Sequence, residues 1–259
     1  MSRRFLAASD APANGADAVI VGVPVDGGVS FRAGAARGPT GIRDFSESIE
    51  SFSPRAKRDL EDIVLVDVGD IDDPADAPAV SGLVVGIGGD HSITPKLVAG
   101  VAARHDGLAV VGFDAHLDFR EDYPGDHACT YRRIGETGVP CYVFGPRSGE
   151  RSEWDDAPRM LAHLSPNVDV SPALEALRGR PVYVTLDIDV LDPSVAPGTG
   201  NPEAGGPGFN ELLAALERLA ELNVVACDLV EVSPPLDPSG ITQAAAAVLV
   251  REMILNFVR

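Results

Sequence analysis

Lysine is almost missing from this 259-residue chain: Lys57 and Lys96 are the only two, the other basic residues are arginines, and the net charge is −18. A surface this acidic repels nucleic acid and anionic membranes, which removes both as expected partners. It favours a small cationic molecule instead, although salt screens such steering over about 8 Å. Little lysine with abundant aspartate fits either a halophilic source or GC-rich coding. Cysteine is scarce too: Cys129, Cys141 and Cys227 form no CxxC pair and are odd in number, which argues against a disulfide framework and a thiolate metal site. They read as buried free thiols. No apolar run is long enough to cross a bilayer, and the N-terminal apolar stretch is too short for a signal peptide, so a cytoplasmic protein is expected. Neither an internal repeat nor a linker interrupts the sequence. A hydrophobic content of 45% is enough to fill one core, and a single domain over residues 1–259 is the expectation.

What is present is a series of short, Val-rich apolar runs: 17–25, 63–68, 83–87, 109–113, 141–144, 181–186 and 224–229. Such runs fit strands buried on both faces of a parallel sheet. Helical patterns fall between several of them, over 39–51, 94–104, 171–177, 210–222 and 242–257. Strands alternating with helices predict an α/β fold with one doubly wound sheet. The segment 70–81 is Asp-, Pro- and Ala-rich and is not expected to form a full helix.

In such sheets ligands bind beyond the carboxyl ends of the strands, and there the unusual residues sit. The run 83–87 leads into Gly88-Gly-Asp-His-Ser92, 109–113 into Asp114-Ala-His116-Leu-Asp118, 181–186 into Asp187-Ile-Asp189, and 224–229 towards Glu231. In an extended segment, residues two apart share a side, so Asp114, His116 and Asp118 are expected to converge, as are Asp187 and Asp189. So many carboxylates in one place, with His91 nearby, would repel one another without cations. Four carboxylates and two imidazoles offer about enough donors for two ions if some carboxylates bridge. The oxygen-rich mixture suits Mn²⁺ better than Zn²⁺, without excluding zinc or iron. Two ions about 3.5–4 Å apart generate a nucleophile from water at neutral pH. A lone DxHxD could be a solvated loop, but its conjunction with Asp187-Ile-Asp189 and the Gly-Gly-Asp-His turn makes that reading weak. His105 and His163 stand in polar helical or loop context and read as surface residues.

These segments resemble the three signatures of the arginase/agmatinase (ureohydrolase) family. The third is the most specific, Asp187-Ile-Asp-Val-Leu-Asp-Pro-Ser-Val-Ala-Pro-Gly-Thr199 followed by Asn201-Pro-Glu-Ala-Gly-Gly206. Phe31-Arg-Ala-Gly-Ala-Ala-Arg-Gly-Pro39 and Val230-Glu-Val-Ser-Pro234 extend the likeness, which runs from about Gly22 to Ala247. The resemblance implies a three-layer α/β/α fold with a central, about eight-stranded parallel sheet. It also implies two Mn²⁺ per chain, a homo-oligomer (trimer or hexamer), and hydrolysis of a guanidine to urea and an amine. One ion would take His91, Asp114, Asp118 and Asp187, the other Asp114, His116, Asp187 and Asp189. It further implies Glu231 as the partner of the guanidinium, with fork geometry, Asp118 as the residue orienting the activated water, and His127 as the proton shuttle. Glu203 would position a substrate amine.

The departures bear on substrate. Gly198-Thr-Gly-Asn-Pro-Glu203 carries Asn201 where agmatinases typically have Thr, and Asp126 stands where a Ser often precedes the histidine. Arginases read part of the substrate's α-amino acid group with a Ser-Gly-Asn type loop at this point. Here Tyr123-Pro-Gly-Asp126 offers a carboxylate that would repel an α-carboxylate and attract an ammonium, and His127-Ala-Cys-Thr-Tyr-Arg-Arg133 looks more like archaeal agmatinases. Agmatine is therefore the expected substrate, with arginine, guanidinobutyrate or formiminoglutamate, or a non-catalytic metal-binding role, as alternatives. A metallophosphoesterase would need its D-x-H first and a later GNH, which is absent. A zinc deacetylase of the same broad fold needs only one of the two ligand sets.

Overall fold

In the computed structural model, which describes residues 4–121 and 126–259, the apolar runs become strands β1 (Ala18–Val23), β2 (Leu65–Asp70), β3 (Leu83–Gly88), β4 (Ala109–Phe113), β5 (Cys141–Phe144), β6 (His163–Ser165), β7 (Pro181–Asp187) and β8 (Asn223–Val230). They form one eight-stranded sheet in the order β2-β1-β3-β8-β7-β4-β5-β6, with every pairing parallel. β1, β3 and β4 are buried at every residue, which is why their sequences show no apolar/polar alternation. A short antiparallel ribbon pairs Phe52–Ser53 with Arg58–Asp59.

The connecting helices are α1 (Gly38–Ser46), α2 (Thr94–Ala102), α3 (Thr130–Glu136), α4 (Arg151–Met160), α5 (Ser171–Ala176), α6 (Phe209–Leu219) and α7 (Ile241–Phe257). One apolar layer holds Ile42 of α1, Leu174 of α5, Leu212 and Leu216 of α6 and Leu249, Val250, Met253 and Ile254 of α7. Leu97 and Val101 of α2, Ile134 of α3 and Ala157 of α4 pack into the other. The result is the three-layer arrangement expected. No helix among the described residues is long and apolar enough to cross a membrane, and all three cysteines are buried.

The structure adds elements that apolar periodicity misses. α4 reads RSEWDDAPRM and contains Pro158; its first turn is fixed by Glu153, whose Oε2 accepts the Glu150 N–H at 2.7 Å. β6 is three half-buried residues, and the expectation of a surface loop or helix at His163 is corrected there. Its ring lies 5.2 Å from that of Phe144 and 6.2 Å from that of Tyr142. Several expected helices end early, α1 at Ser46 and α6 at Leu219. The 70–81 crossover contains only the single turn Pro74–Asp76, as its composition requires.

Arg43 ties α1 to the β2 edge. Its Nε and Nη2 each donate at 2.8 Å to Asp67, and Nη1 donates to Asp70. Arg43 is 1% exposed and Asp67 4%, so Arg43→Ala would leave a buried carboxylate uncompensated. A loss of about 3–5 kcal/mol follows, to be read from urea denaturation; a loss under about 1 kcal/mol would show that water replaces the guanidinium.

Register decides where the strand tips stand. Ile87 of β3 pairs with Leu229 of β8, Val230 of β8 with Asp187 of β7, and Leu186 of β7 with Phe113 of β4. Four adjacent strands thus end level with one another, and the side chains that follow them meet.

Candidate metal centre and active site

His91 follows β3, Asp114 follows β4, Asp187 closes β7 and Glu231 follows β8. His91 Nδ1 lies 3.0 Å from Asp118 Oδ2, 3.1 Å from Asp114 Oδ2 and 3.5 Å from Asp187 Oδ2. His116 Nδ1 lies 2.9 Å from Asp189 Oδ2 and 3.7 Å from Asp114 Oδ1. Two donor groups result, His91/Asp114/Asp118 and Asp114/His116/Asp189, each with ligand atoms within 4.8 Å of one another. Asp114 belongs to both, and Asp187 stands beside the first through His91.

The local conformations that bring them together are turns as well as extended chain. Asp187 Oδ1 accepts the Asp189 N–H at 2.9 Å across a short 3₁₀ turn, Ile188–Val190. Asp114 Oδ1 likewise accepts the His116 N–H at 2.7 Å. Asp118 and Glu231 sit at φ of 43° and 64°, a region costly for residues with a Cβ, and both belong to the proposed site.

The electrostatics fit cations. Burial, then the charge of Asp118, pushes the Asp114 carboxyl up to about 7. Burial, then Asp189, Asp114 and Glu231, holds Asp187 well above the usual carboxylate range. Burial opposes the charged form of His116, but Asp189 outweighs it and lifts the imidazole to about 10. Asp114 Oδ2 is buried without a hydrogen-bond partner, in a spot where His91 Nδ1, 3.1 Å away, lies equally close to Asp118. An orphaned carboxylate oxygen among oxygen and imidazole donors is what a divalent cation would satisfy.

These groups open into a cavity of about 410 Å³, whose lining includes Asp118, His127, Asp187, Asp189, Asn201 and Glu231. Glu231 Oε1 accepts the His91 N–H at 2.9 Å and lies 2.9 Å from His127 Nδ1; Oε2 takes no hydrogen bond from the described residues. Burial raises the Glu231 carboxyl, and His127 offsets part of that. Burial also disfavours a charged His127, yet Glu231 outweighs it and brings the imidazole to about 9.

Glu203 lines the cavity, in a turn pinned by Arg147, whose Nη2 donates to Glu203 O at 2.7 Å and to Asp189 O at 3.0 Å. Asp126 is placed differently. Its Oδ1 accepts the Ala128 N–H at 3.0 Å to start the turn carrying His127, and it is not part of the cavity lining. Tyr123, Pro124 and Gly125 lie outside the described residues. Sequence reading passed over Ser30, Arg147 and Glu153. Glu153 is 5% exposed, lines the cavity and accepts the Phe119 N–H at 2.9 Å; only the i,i+3 Glu150/Glu153 spacing of a helix start hinted at it.

A parallel α/β/α sheet whose central tips gather His and Asp donors defines a protein able to hold metal ions at the carboxyl edge of its strands. Residues 16–255 match the model of the Arginase family, and the chain belongs to that family. It is 40% identical to the agmatinase of Bacillus subtilis, over 94% of this chain and 93% of that protein. It is 37% identical to the N(1)-aminopropylagmatine ureohydrolase of Thermococcus kodakarensis, over 87% and 86%. Among solved structures, the proclavaminate amidino hydrolase of Streptomyces clavuligerus superposes with a TM-score of 0.87 at 33% identity, covering 100% of this chain and 97% of that one.

Proposed function

We propose that the chain hydrolyses agmatine to putrescine and urea with two Mn²⁺ held by His91, Asp114, His116, Asp118, Asp187 and Asp189. The observation that carries this reading is that the two donor groups share Asp114 and face the same cavity as Glu231 and His127. When bound, the ions supply a nucleophile by lowering the pKa of water. Asp118, beside His91 at 3.0 Å, orients that nucleophile. Glu231 holds the guanidinium through Oε2, the oxygen that no described residue occupies, rather than through a fork with both oxygens. His127, hydrogen-bonded to Glu231, supplies the proton that the leaving amine needs.

Substrate choice follows from charge in the cavity. Glu203 and Glu150 line it, and Glu150 already pairs with Arg120 at 2.9 Å. Glu203 is thus the carboxylate that would meet a terminal ammonium, and it would repel an α-carboxylate; the contribution expected of Asp126 becomes that of holding the His127 turn. A site that leaves a charged group unpaired rejects it strongly, so kcat/KM for agmatine should exceed that for arginine by about a hundredfold or more. Urea release, with formamide detection for formiminoglutamate, measures this. A higher value for arginine would overturn the assignment, and a preference for guanidinobutyrate would show that Glu203 does not face the tail. The same reading takes residues 1–259 as one domain and the protein as a cytoplasmic homo-oligomer, trimer or hexamer, to be checked by light scattering.

A further inference from the structure

His127 is buried at 7% exposure, and both of its ring nitrogens are engaged by protein. Nδ1 lies 2.9 Å from Glu231 Oε1. Nε2 lies 2.9 Å from Ser30 Oγ and accepts the Ser30 backbone N–H at 3.2 Å. Any proton that reaches this imidazole from solvent must therefore pass a protein group, and Ser30, an exposed residue lining the cavity, is the one hydrogen-bonded to the outer nitrogen, with Asp126 Oδ1 farther off at 3.6 Å. We propose that Ser30 is the relay residue of the reaction, its hydroxyl connecting His127 Nε2 to solvent while Nδ1 faces Glu231 and the substrate.

A hydroxyl suits that position because it both donates and accepts. It donates to Nε2 when the ring is neutral and accepts from it when the ring is charged, whereas the Ser30 backbone N–H can serve only the neutral ring. Asn201 Nδ2 donates to the same hydroxyl oxygen at 3.1 Å, which holds Ser30 without taking its proton. The loop bearing Ser30 is pinned as well: the Gly28 N–H donates to Asp90 Oδ2 at 2.9 Å. A Cβ on Gly28 would come within 2.8 Å of the His127 backbone nitrogen, so only glycine lets the loop pass this close to the His127 turn. The charged groups facing His127 are Glu231 after β8, Asp118 after β4 and Asp126 in its own turn.

In one turnover Ser30 Oγ takes a proton from water as its own proton passes to Nε2. The Nδ1 proton passes to the Glu231 carboxylate and on to the leaving nitrogen, which leaves His127 protonated at Nε2 alone; the starting tautomer returns when the proton lost by the next attacking water reaches Nδ1 through Glu231 and the Nε2 proton leaves through Ser30 to solvent. The proposal rests on agmatine hydrolysis, and the test separates the two. Ser30→Ala should lower kcat for agmatine about tenfold with KM unchanged, and Ser30→Thr, which keeps a hydroxyl, should restore it. Independently of turnover, imidazole NMR should show solvent exchange of the His127 Nδ1 proton slowed about tenfold in Ser30→Ala and recovered in Ser30→Thr. Urea release by the parent decides the substrate reading; the NMR exchange rates decide the relay. Exchange and turnover within twofold of the parent in Ser30→Ala, or a Ser30→Thr variant as slow as Ser30→Ala, would overturn it.

Discussion

Asp114→Asn should reduce turnover by about a hundredfold or more and should lose metal from both sites together. Asp114 is the residue that both donor groups share, and even partners of metal ligands typically cost about 10–100-fold when removed. Asp187→Asn should behave similarly, because Asp187 lies beside His91 and holds the Asp189 N–H. Asp118→Asn should lose less, since Asp118 contacts only the His91 side. Chelation should abolish activity and Mn²⁺ should restore it. Ligands that bind only the folded state stabilise it by mass action, about 2.7 kcal/mol for one ion at a hundredfold excess over Kd, or about 5–10 °C in Tm for a chain this size. Metal analysis decides the matter: one zinc per chain with full activity, or Asp114→Asn retaining both ions, would sink the two-ion reading.

Much of this centre was legible in the chain because its ingredients sit where strand boundaries can be read. An apolar run followed at once by His or Asp marks both the strand tip and the residue it presents. That the four tips share the carboxyl edge was legible; that they are neighbours was not, since it depends on the sheet order that puts β3, β8, β7 and β4 side by side, and chain order does not state it. Local spacing also misled on detail. The two-residue rule for extended chain gave the right convergence of Asp187 with Asp189, but the structure achieves it with an Asp-capped turn. α4 was missed because its charged, Pro-containing sequence carries little apolar periodicity, and β6 because three residues are too few to show any. Ser30 was missed because its contact with His127 spans 97 positions, and a serine in a Gly-rich loop announces nothing by itself. Asn201 was noticed only as a departure, and the structure gives it a task in holding Ser30.

His127→Ala should keep both ions bound and lower kcat by about a hundredfold, the usual scale for a lost general acid or base. The ring sits 2.9 Å from Glu231 and contributes to neither donor group, so the metal content has no reason to change. Its pH behaviour gives a second reading. Glu231 does most to overcome burial and lift His127 from 6.5 to about 9, so Glu231→Gln should lower the His127 titration point in an NMR experiment. The linkage has a definite sign: a histidine whose folded-state value lies above its unfolded one contributes stability in full below about pH 6.5, and loses it as pH rises through about 9. The stability gap between parent and His127→Ala should accordingly be widest near pH 6 and close by about pH 9. Turnover at the parent rate in His127→Ala would reduce His127 to a structural link between Ser30 and Glu231, and a gap that widens with pH would mean that the imidazole is held neutral and that its proton comes from elsewhere.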